Sequence, residues 1–240
     1  MGGGRNLKLL RQFYDKKAAF TLSEVLITLG ITGVVAAMTI PTLVNKYQKK
    51  VIATQLKAVY SELQQTFNAA MSDNGDPKYW AQSIPMENGE LYYKLIDSFY
   101  ETYLLPYIRS EFVKGTEKEI GYQEFTGTLS DPNVKVKADS TQFIKLVNGT
   151  VIRYTLNNNG IEYSDILLYV DVNGCKKPNI MGKDIFLLCF SFKTGRLSFY
   201  GAGQGRQNLL YQCGKSLHGD QLCGQIILLD DWEIKEDYPW

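Results

Sequence analysis

The feature that most constrains this chain is an apolar stretch from Phe20 to Val44 that contains one charged residue, Glu24. At about 1.5 Å per residue, a helix over this stretch spans roughly 37 Å, which exceeds the ~30 Å hydrocarbon core of a bilayer. The stretch is therefore long enough to cross a membrane. A carboxylate at the centre of a membrane helix costs about 3 kcal/mol, so Glu24 requires a compensating interaction.

The order of the segments around this stretch differs from that of an ordinary secretory signal. Residues 1–19 form a basic leader, with one acid against five bases: Arg5, Lys8, Arg11, Lys16 and Lys17. A secretory signal places a small-residue cleavage site after a shorter apolar region. In this chain the small residues Ala18 and Ala19 come before the apolar stretch. Lysines also follow it, so charge alone gives a blunted orientation signal.

The segment from Lys16 to Ile27, KKAAFTLSEVLI, resembles the processing signal of type IV prepilins and type II secretion pseudopilins. The resemblance implies that a membrane-embedded prepilin peptidase cuts between Ala19 and Phe20 and methylates the new amine of Phe20. Glu24 then holds the fifth position and pairs with the N-terminal amine of a neighbouring subunit. Ala19 stands where the family usually has glycine; because alanine is also small, we still expect cleavage.

The same resemblance implies a location and a set of partners. The leader must stay cytoplasmic to be cut, which predicts a single-pass protein of the inner (cytoplasmic) membrane with an extracytoplasmic C-terminal domain. The implied partners are prepilin peptidase, other pilin or pseudopilin subunits and the inner-membrane assembly platform, with the assembled form in a periplasmic or surface filament. Pro41 falls where many such proteins carry a helix-kinking proline.

Beyond the membrane segment, residues 45–76 are predicted to continue the helix as an amphipathic one. Apolar residues recur at three- and four-residue steps, and a Gly-Asp-Pro sequence at 75–77 ends the pattern. The apolar stripe is expected to pack on a soluble domain formed by residues 77–240. The aromatic residues of 78–130 are interpreted as core, with a helix over 90–105 that ends near Pro106.

From about residue 134 the pattern changes to that of β-strands. Strands are predicted at 134–138, 141–147, 150–156, 165–171, 185–192, 196–200 and 225–230. Asn148-Gly149 and Thr194-Gly195 are hairpin signals between them. A long helix followed by antiparallel strands predicts an α+β fold, in agreement with the spine helix and small sheet of pilins.

A loop with several oxygen-bearing side chains is a candidate calcium site, consisting of Asp171, Asn173, Asn179 and Asp184. Calcium prefers carboxylate, amide and carbonyl oxygens, and some pseudopilins bind it near their C-terminal strands. Three lysines in the same loop oppose a cation, and the loop lacks the acidic density of an EF-hand. The alternative interpretation is a loop closed by Asx turns.

The even number of cysteines, four, suggests disulfides if the domain is exported. Cys213 and Cys223 bracket a short polar loop, and Cys175 and Cys189 flank the candidate cation loop, so these are the two predicted bridges. Zinc held between Cys213 and Cys223 with His218 is the competing interpretation. Paired ligands at Cys-x-x-Cys spacing are absent from the sequence.

No enzyme motif is present, and the formal net charge of +1 gives no indication of nucleic-acid binding. The predicted function is therefore that of a structural subunit, a minor one given its length, of a type IV pilus or type II secretion pseudopilus. One alternative is a tip-located module that binds DNA, a surface or a secretion substrate. Another is an unassembled, membrane-anchored periplasmic protein. The acidic and aromatic segment 230–240 is expected to pack on the domain.

Overall fold

A single helix of 53 residues, α1, runs from Leu22 to Asn74 in the computed structural model of the chain. The structure describes residues 20–80, 98–115, 127–132, 142–158 and 163–240. Helix α1 ends where Gly75 adopts a φ of 77° and donates its N–H to the Met71 carbonyl at 2.9 Å. A left-handed residue after the last turn is a common helix stop, and glycine adopts that conformation without steric cost.

The second half of α1 buries one apolar stripe, as the sequence pattern predicts. The buried residues recur at three- and four-residue steps: Ile52, Leu56, Val59, Leu63, Phe67 and Ala70. Phe67 stacks on Phe190 with ring centroids 3.9 Å apart, and Tyr60 stacks on Phe199 at 5.4 Å. This half of the helix therefore forms part of the domain core. Contacts divide the described residues into two units between Tyr47 and Gln48.

The α+β prediction is confirmed by a mixed, mainly antiparallel sheet. Its eight strands among the described residues are β1 (Ser110–Gly115), β2 (Gly127–Thr128), β3 (Gln142–Leu146), β4 (Val151–Asn158), β5 (Tyr163–Asp171), β6 (Ile180–Met181), β7 (Ile185–Ser191) and β8 (Arg196–Phe199). The order across the sheet is β1-β3-β4-β5-β7-β6-β2, and β8 pairs with β7. The two-residue strands β2 and β6 pair in parallel, as do β6 and β7.

Both predicted hairpin turns are present. Strands β3 and β4 pair antiparallel around Asn148-Gly149, where Gly149 has a φ of 88° and the Asn148 side chain accepts from Thr150 N at 2.9 Å. Strands β7 and β8 pair around Thr194-Gly195, where Gly195 has a φ of 64°. Glycine is the residue that these positions favour, because φ is positive at both.

One predicted strand is wrong. Residues 225–229 of the predicted strand 225–230 lie in helix α4 (Cys223–Leu229), and Asp230 is in the turn that follows it. Helix α4 comes after α2 (Arg206–Gln212) and α3 (Leu217–Gln221). A short apolar run such as Ile226–Leu229 fits either a buried strand or a buried helix, and packing decides between them. Here Gly224 lies so close to the ring of Phe199 that an added Cβ would sit 2.6 Å from it. The close approach lets α4 cover the sheet.

The remaining short elements lie before the first strand. A 3-10 helix covers Pro77–Tyr79 and a π-helix covers Tyr100–Leu104, the latter at the end of the predicted 90–105 helix. Trp80 and Phe99 are buried in the core, in agreement with a packing role for the aromatic residues of this region. The predicted strand at 134–138 and residues 90–97 of the predicted helix lie outside the described residues.

Candidate functional site

The segment proposed for processing and assembly begins with Phe20, which is 83% exposed, and helix α1 starts two residues later. Ala19 lies outside the described residues. Thr21 and Glu24 cap the helix reciprocally. Glu24 Oε2 accepts from the Thr21 amide and from the Thr21 hydroxyl, each at 2.8 Å, and Thr21 Oγ1 accepts from Glu24 N at 3.2 Å. This is a capping box, which satisfies amides that otherwise lack partners at a helix start.

The first half of α1 presents apolar side chains to its surroundings. Its most apolar stretch is not buried within the protein, and the helix is long and apolar enough to cross a membrane. The hydroxyls of Thr28, Thr32 and Thr39 donate to carbonyls four residues earlier in the same helix, at 2.7 to 2.9 Å. These polar groups are therefore satisfied within the helix and need no water.

Pro41 lies inside α1, and the helix continues through it to Asn74. Proline has no N–H, so the carbonyl of Ala37, four residues earlier, loses its helical donor. The kink predicted at Pro41 stays a prediction.

The four residues of the candidate calcium site come together in the loop between β5 and β7. Asp184 is 1% exposed. Its oxygens accept from the amides of Asn179 at 2.9 Å and Ile180 at 2.5 Å, and from the side-chain amide of Asn173 at 2.9 Å. Burial raises the pKa of Asp184, and the hydrogen bonds from the loop amides partly oppose that effect.

Asp171 serves the same loop from its other end. One of its oxygens accepts from Gly174 N at 2.9 Å and from Asn173 N at 3.2 Å, which is an Asx turn. Calcium requires six to eight oxygen ligands. Here N–H donors converge on Asp184, and Asn173 turns its amide nitrogen toward that carboxylate. These hydrogen bonds favour the alternative interpretation, a loop closed by Asx turns, and the calcium site stays a prediction.

Cys213 and Cys223 form the predicted disulfide, with Cα atoms 5.3 Å apart and a sequence separation of 10. Both residues are buried, and the bridge joins the end of α2 to the start of α4. Asp220, inside the bridged loop, accepts from Gly214 N at 2.7 Å and from Ser130 N at 2.9 Å. The loop is thus fixed to the domain by hydrogen bonds as well as by the covalent bond.

The predicted bridge between Cys175 and Cys189 is wrong, because the two thiols are not joined in this structure. Cys175 packs against Val151, whose strand partner is Asp171. Asp171 in turn pairs with Ile185 on β7, and Cys189 lies four residues further along that strand. Four strand residues span about 13 Å, whereas a disulfide requires Cα atoms within about 7 Å.

Two family models match the chain. The prokaryotic N-terminal methylation motif matches residues 14–40, which confirms the resemblance to prepilin-type pilins and pseudopilins. A family of unknown function, DUF6613, matches residues 42–240, which is most of the chain. The chain belongs to the DUF6613 family. No curated protein matches it, and no solved structure matches it.

In this DUF6613 member the two matched regions meet beside Pro41, inside the one continuous helix α1. The DUF6613 region therefore contains the buried half of α1 together with the whole sheet. The capping role of Thr21 was not predicted from the sequence, although its spacing from Glu24 is the Ser/Thr-x-x-Glu pattern of a capping box. The role of Arg206 was not predicted either, and its carboxylate partners lie 24 and 31 residues away.

Proposed function

We propose that this DUF6613 protein is a minor subunit of a type IV pilus or pseudopilus that is cut before Phe20, N-methylated and assembled through its apolar helix. The methylation motif and the apolar helix indicate a membrane-anchored, pilin-like structural protein. The finer assignment is supported by helix α1. Its first half exposes apolar side chains, and its second half is part of the core of the folded domain. Cleavage before Phe20 would leave both halves in one mature chain.

The geometry of Glu24 suits a pairing role. Both hydrogen bonds from Thr21 go to Oε2, which leaves Oε1 to accept from an ammonium group. In an apolar bundle the methylated amine of a neighbouring Phe20 would supply that group, and a buried charge is tolerated when it is paired. The same carboxylate would then cap its own helix and fix the register of the next subunit.

The proposed topology places the leader in the cytoplasm and the DUF6613 domain outside it. The disulfide supports this placement, because disulfides form and persist in oxidising compartments such as the periplasm. We place the protein in the inner membrane before assembly, with prepilin peptidase, other pilins and the assembly platform as its partners.

The first experiment tests processing. The protein is expressed with and without a prepilin peptidase, and the product is characterised by intact mass and N-terminal sequencing. We expect a product that begins at Phe20 and carries one additional methyl group only when the peptidase is present. A product that retains residues 1–19 in both cases, or that is cut after Val44, would contradict the proposal.

The second experiment tests assembly with two matched variants. Glu24→Gln removes the charge but keeps an oxygen that accepts from Thr21, whereas Thr21→Val removes the cap but keeps the charge. We expect Glu24→Gln to be processed yet absent from sheared filaments, and Thr21→Val to be incorporated. Normal incorporation of Glu24→Gln would contradict the pairing role.

The position of the subunit in wild-type filaments is tested separately with a labelled antibody. Label at rare or terminal positions would support a minor subunit, and uniform label would indicate a major one.

A further inference from the structure

Two lysines from different parts of the chain lie close to the ring of Trp240. The Nζ atom of Lys183 is 4.9 Å from the centroid of the indole ring, and that of Lys49 is 5.8 Å from it. All three side chains are partly buried and partly accessible. We call Lys49, Lys183 and Trp240 the Trp240 collar.

The segment that carries Trp240 is held in place along α1. Trp232 packs against Tyr60 with ring centroids 5.4 Å apart, about three helical turns beyond Lys49. The buried Tyr238 donates its hydroxyl to the Gly182 carbonyl, next to Lys183. Because these contacts fix the segment at both ends, the collar is built before any ligand arrives.

The Trp240 collar holds two ammonium groups, and one nearby carboxylate, that of Glu236, acts on them. Burial lowers the pKa of Lys49, Glu236 raises it, and the nearby ammonium of Lys183 lowers it. The acids of the adjacent loop do not offset the lysines at the surface, since Asp171 and Asp184 are buried and bonded to loop amides. An anionic group placed between the two ammonium groups would relieve their repulsion.

The collar lies close in sequence to the membrane segment. Lys49 follows Val44, the last residue of the apolar stretch, by five residues, which cover about 7.5 Å as a helix. Even fully extended, five residues reach only about 18 Å. Tryptophan and lysine are the side chains that settle at the headgroup level of a bilayer, where an amphipathic ring and a long cationic chain are both satisfied.

We propose that the Trp240 collar binds the phosphates of anionic phospholipids at the extracytoplasmic surface of the membrane. The collar would hold the DUF6613 domain against the bilayer before the subunit is extracted into a filament. This inference rests on the membrane anchoring of the apolar helix. It does not depend on cleavage, methylation or filament assembly.

The test uses the full chain reconstituted into vesicles of zwitterionic and anionic lipid, with a fraction of the lipids brominated on acyl carbons near the headgroup. Bromine quenches only indoles at that depth. The chain has three tryptophans, Trp80, Trp232 and Trp240. We expect quenching of wild-type emission in anionic vesicles and its loss in Trp240→Phe. Because brominated lipid is present in both leaflets, the orientation of insertion does not affect the result.

Lysine variants keep the fluorophore and separate binding from folding. We expect Lys49→Gln and Lys183→Gln each to lower the ratio of quenched to unquenched Trp240 by about fivefold. The reason is that loss of one basic residue near an anionic surface weakens binding to that surface by about this factor. Lys78→Gln is the matched control. Lys78 also lies over an aromatic ring, that of Tyr79, at 4.7 Å, but beyond the other end of α1. Its substitution is expected to leave the quenching unchanged.

Co-flotation with the vesicles separates failure of the anchor from failure of the collar. Protein that does not float would overturn the membrane anchoring and this inference with it. Protein that floats, but whose Trp240 is not quenched or is quenched equally in zwitterionic vesicles, would overturn the inference alone. Emission of Trp240 that depends on the protein-to-lipid ratio and not on bromine would assign the collar to a second copy of the chain and would also overturn it.

Discussion

The guanidinium of Arg206 makes a two-point ion pair with the carboxylate of Asp230, in which Nε donates to Oδ1 at 2.6 Å and Nη2 donates to Oδ2 at 2.7 Å. The Asp230 side chain is 2% exposed. The same guanidinium donates twice to Asp237, at 2.8 Å each, and Lys235 donates to Asp230 at 2.7 Å. One arginine on α2 therefore fixes the segment that follows α4.

We expect Arg206→Ala to lower the free energy of unfolding by about 2–3 kcal/mol, because Asp230 stays buried and keeps only Lys235 as a partner. Urea denaturation of the solubilised full chain measures the change. Lys78→Ala is the control, since its pair with Asp76 is about half exposed on both sides and such pairs contribute less than about 1 kcal/mol. Equal losses in the two variants would contradict the importance of the Arg206 pair.

The same network predicts a dependence of stability on pH. Burial acts to raise the pKa of Asp230, but the hydrogen bonds from Arg206 and Lys235 outweigh it and hold the pKa below its ordinary value. A lowered pKa in the folded state gives stabilisation that is complete above the unfolded pKa of about 3.9 and is lost as pH falls through the folded value. We expect wild type to lose more stability than Asp230→Asn on acidification. Subtracting the curve of stability against pH for Asp230→Asn from that of wild type cancels the contribution of Asp184, whose raised pKa acts in the opposite direction.

Asp231 offers a substitution that stabilises the protein. It follows α4 with a φ of 56°, and the bonds from Trp232 N to Ile227 O and from Asp231 N to Leu228 O form a Schellman motif around it. Non-glycine residues are strained in this conformation. We expect Asp231→Gly to raise the free energy of unfolding by about 0.5–1 kcal/mol, and Asp231→Ala, the control, not to raise it. Thermal melts compare the three proteins. A loss of stability in the glycine variant would contradict the assignment of a Schellman motif at Asp231.

Mass spectrometry of thiol-alkylated protein tests the cysteine assignment. We expect one disulfide and two alkylatable thiols after denaturation. Burial, together with the neighbouring Asp165, raises the pKa of Cys189 to about 12, so its thiol is expected to react slowly in the folded protein. Replacing Cys213 and Cys223 with serine is expected to cost about 3 kcal/mol of stability. A second disulfide, linking Cys175 to Cys189, would contradict this assignment.

Calcium is expected to leave the melting temperature unchanged, because the carboxylates of Asp171 and Asp184 already accept hydrogen bonds from the loop. Thermal melts in excess calcium and in excess chelator compare the melting temperatures. Asp184→Ala should lower stability equally in both conditions, since it removes an acceptor for buried loop amides. A calcium-dependent rise in melting temperature that is lost in Asp184→Ala would support the calcium site.

Local signals in the sequence were sufficient for the apolar helix, its buried stripe and both glycine hairpins. In each case the signal and the structure involve residues only a few positions apart. The helix at 223–229 was predicted as a strand, because Ile226–Leu229 has no period that distinguishes the two. The parallel pairs of β2, β6 and β7 involve two residues at most, too few to leave a pattern.

The interactions of the candidate site also divide into local ones, which the sequence shows, and long-range ones, which it does not. The capping pair of Thr21 and Glu24 is visible at its three-residue spacing, whereas the partners of Arg206 are distant in sequence and no motif connects them. Cysteine spacing alone is weak evidence for a disulfide. A disulfide joins Cys213 to Cys223, but the register of β7 separates Cys175 from Cys189. Long-range geometry, rather than residue type, decides such pairs.

The division of α1 into an exposed half and a buried half has a genetic consequence. Substitutions of Leu56 or Leu63, which are at most 1% exposed, should reduce the abundance of the protein in cells, because the domain loses its core. Substitutions of Leu29 or Val34, which are 64% and 57% exposed, should leave a folded domain that fails in its cellular role. A collection of loss-of-function alleles would therefore fall into two classes, distinguished on an immunoblot, with the boundary inside a single helix.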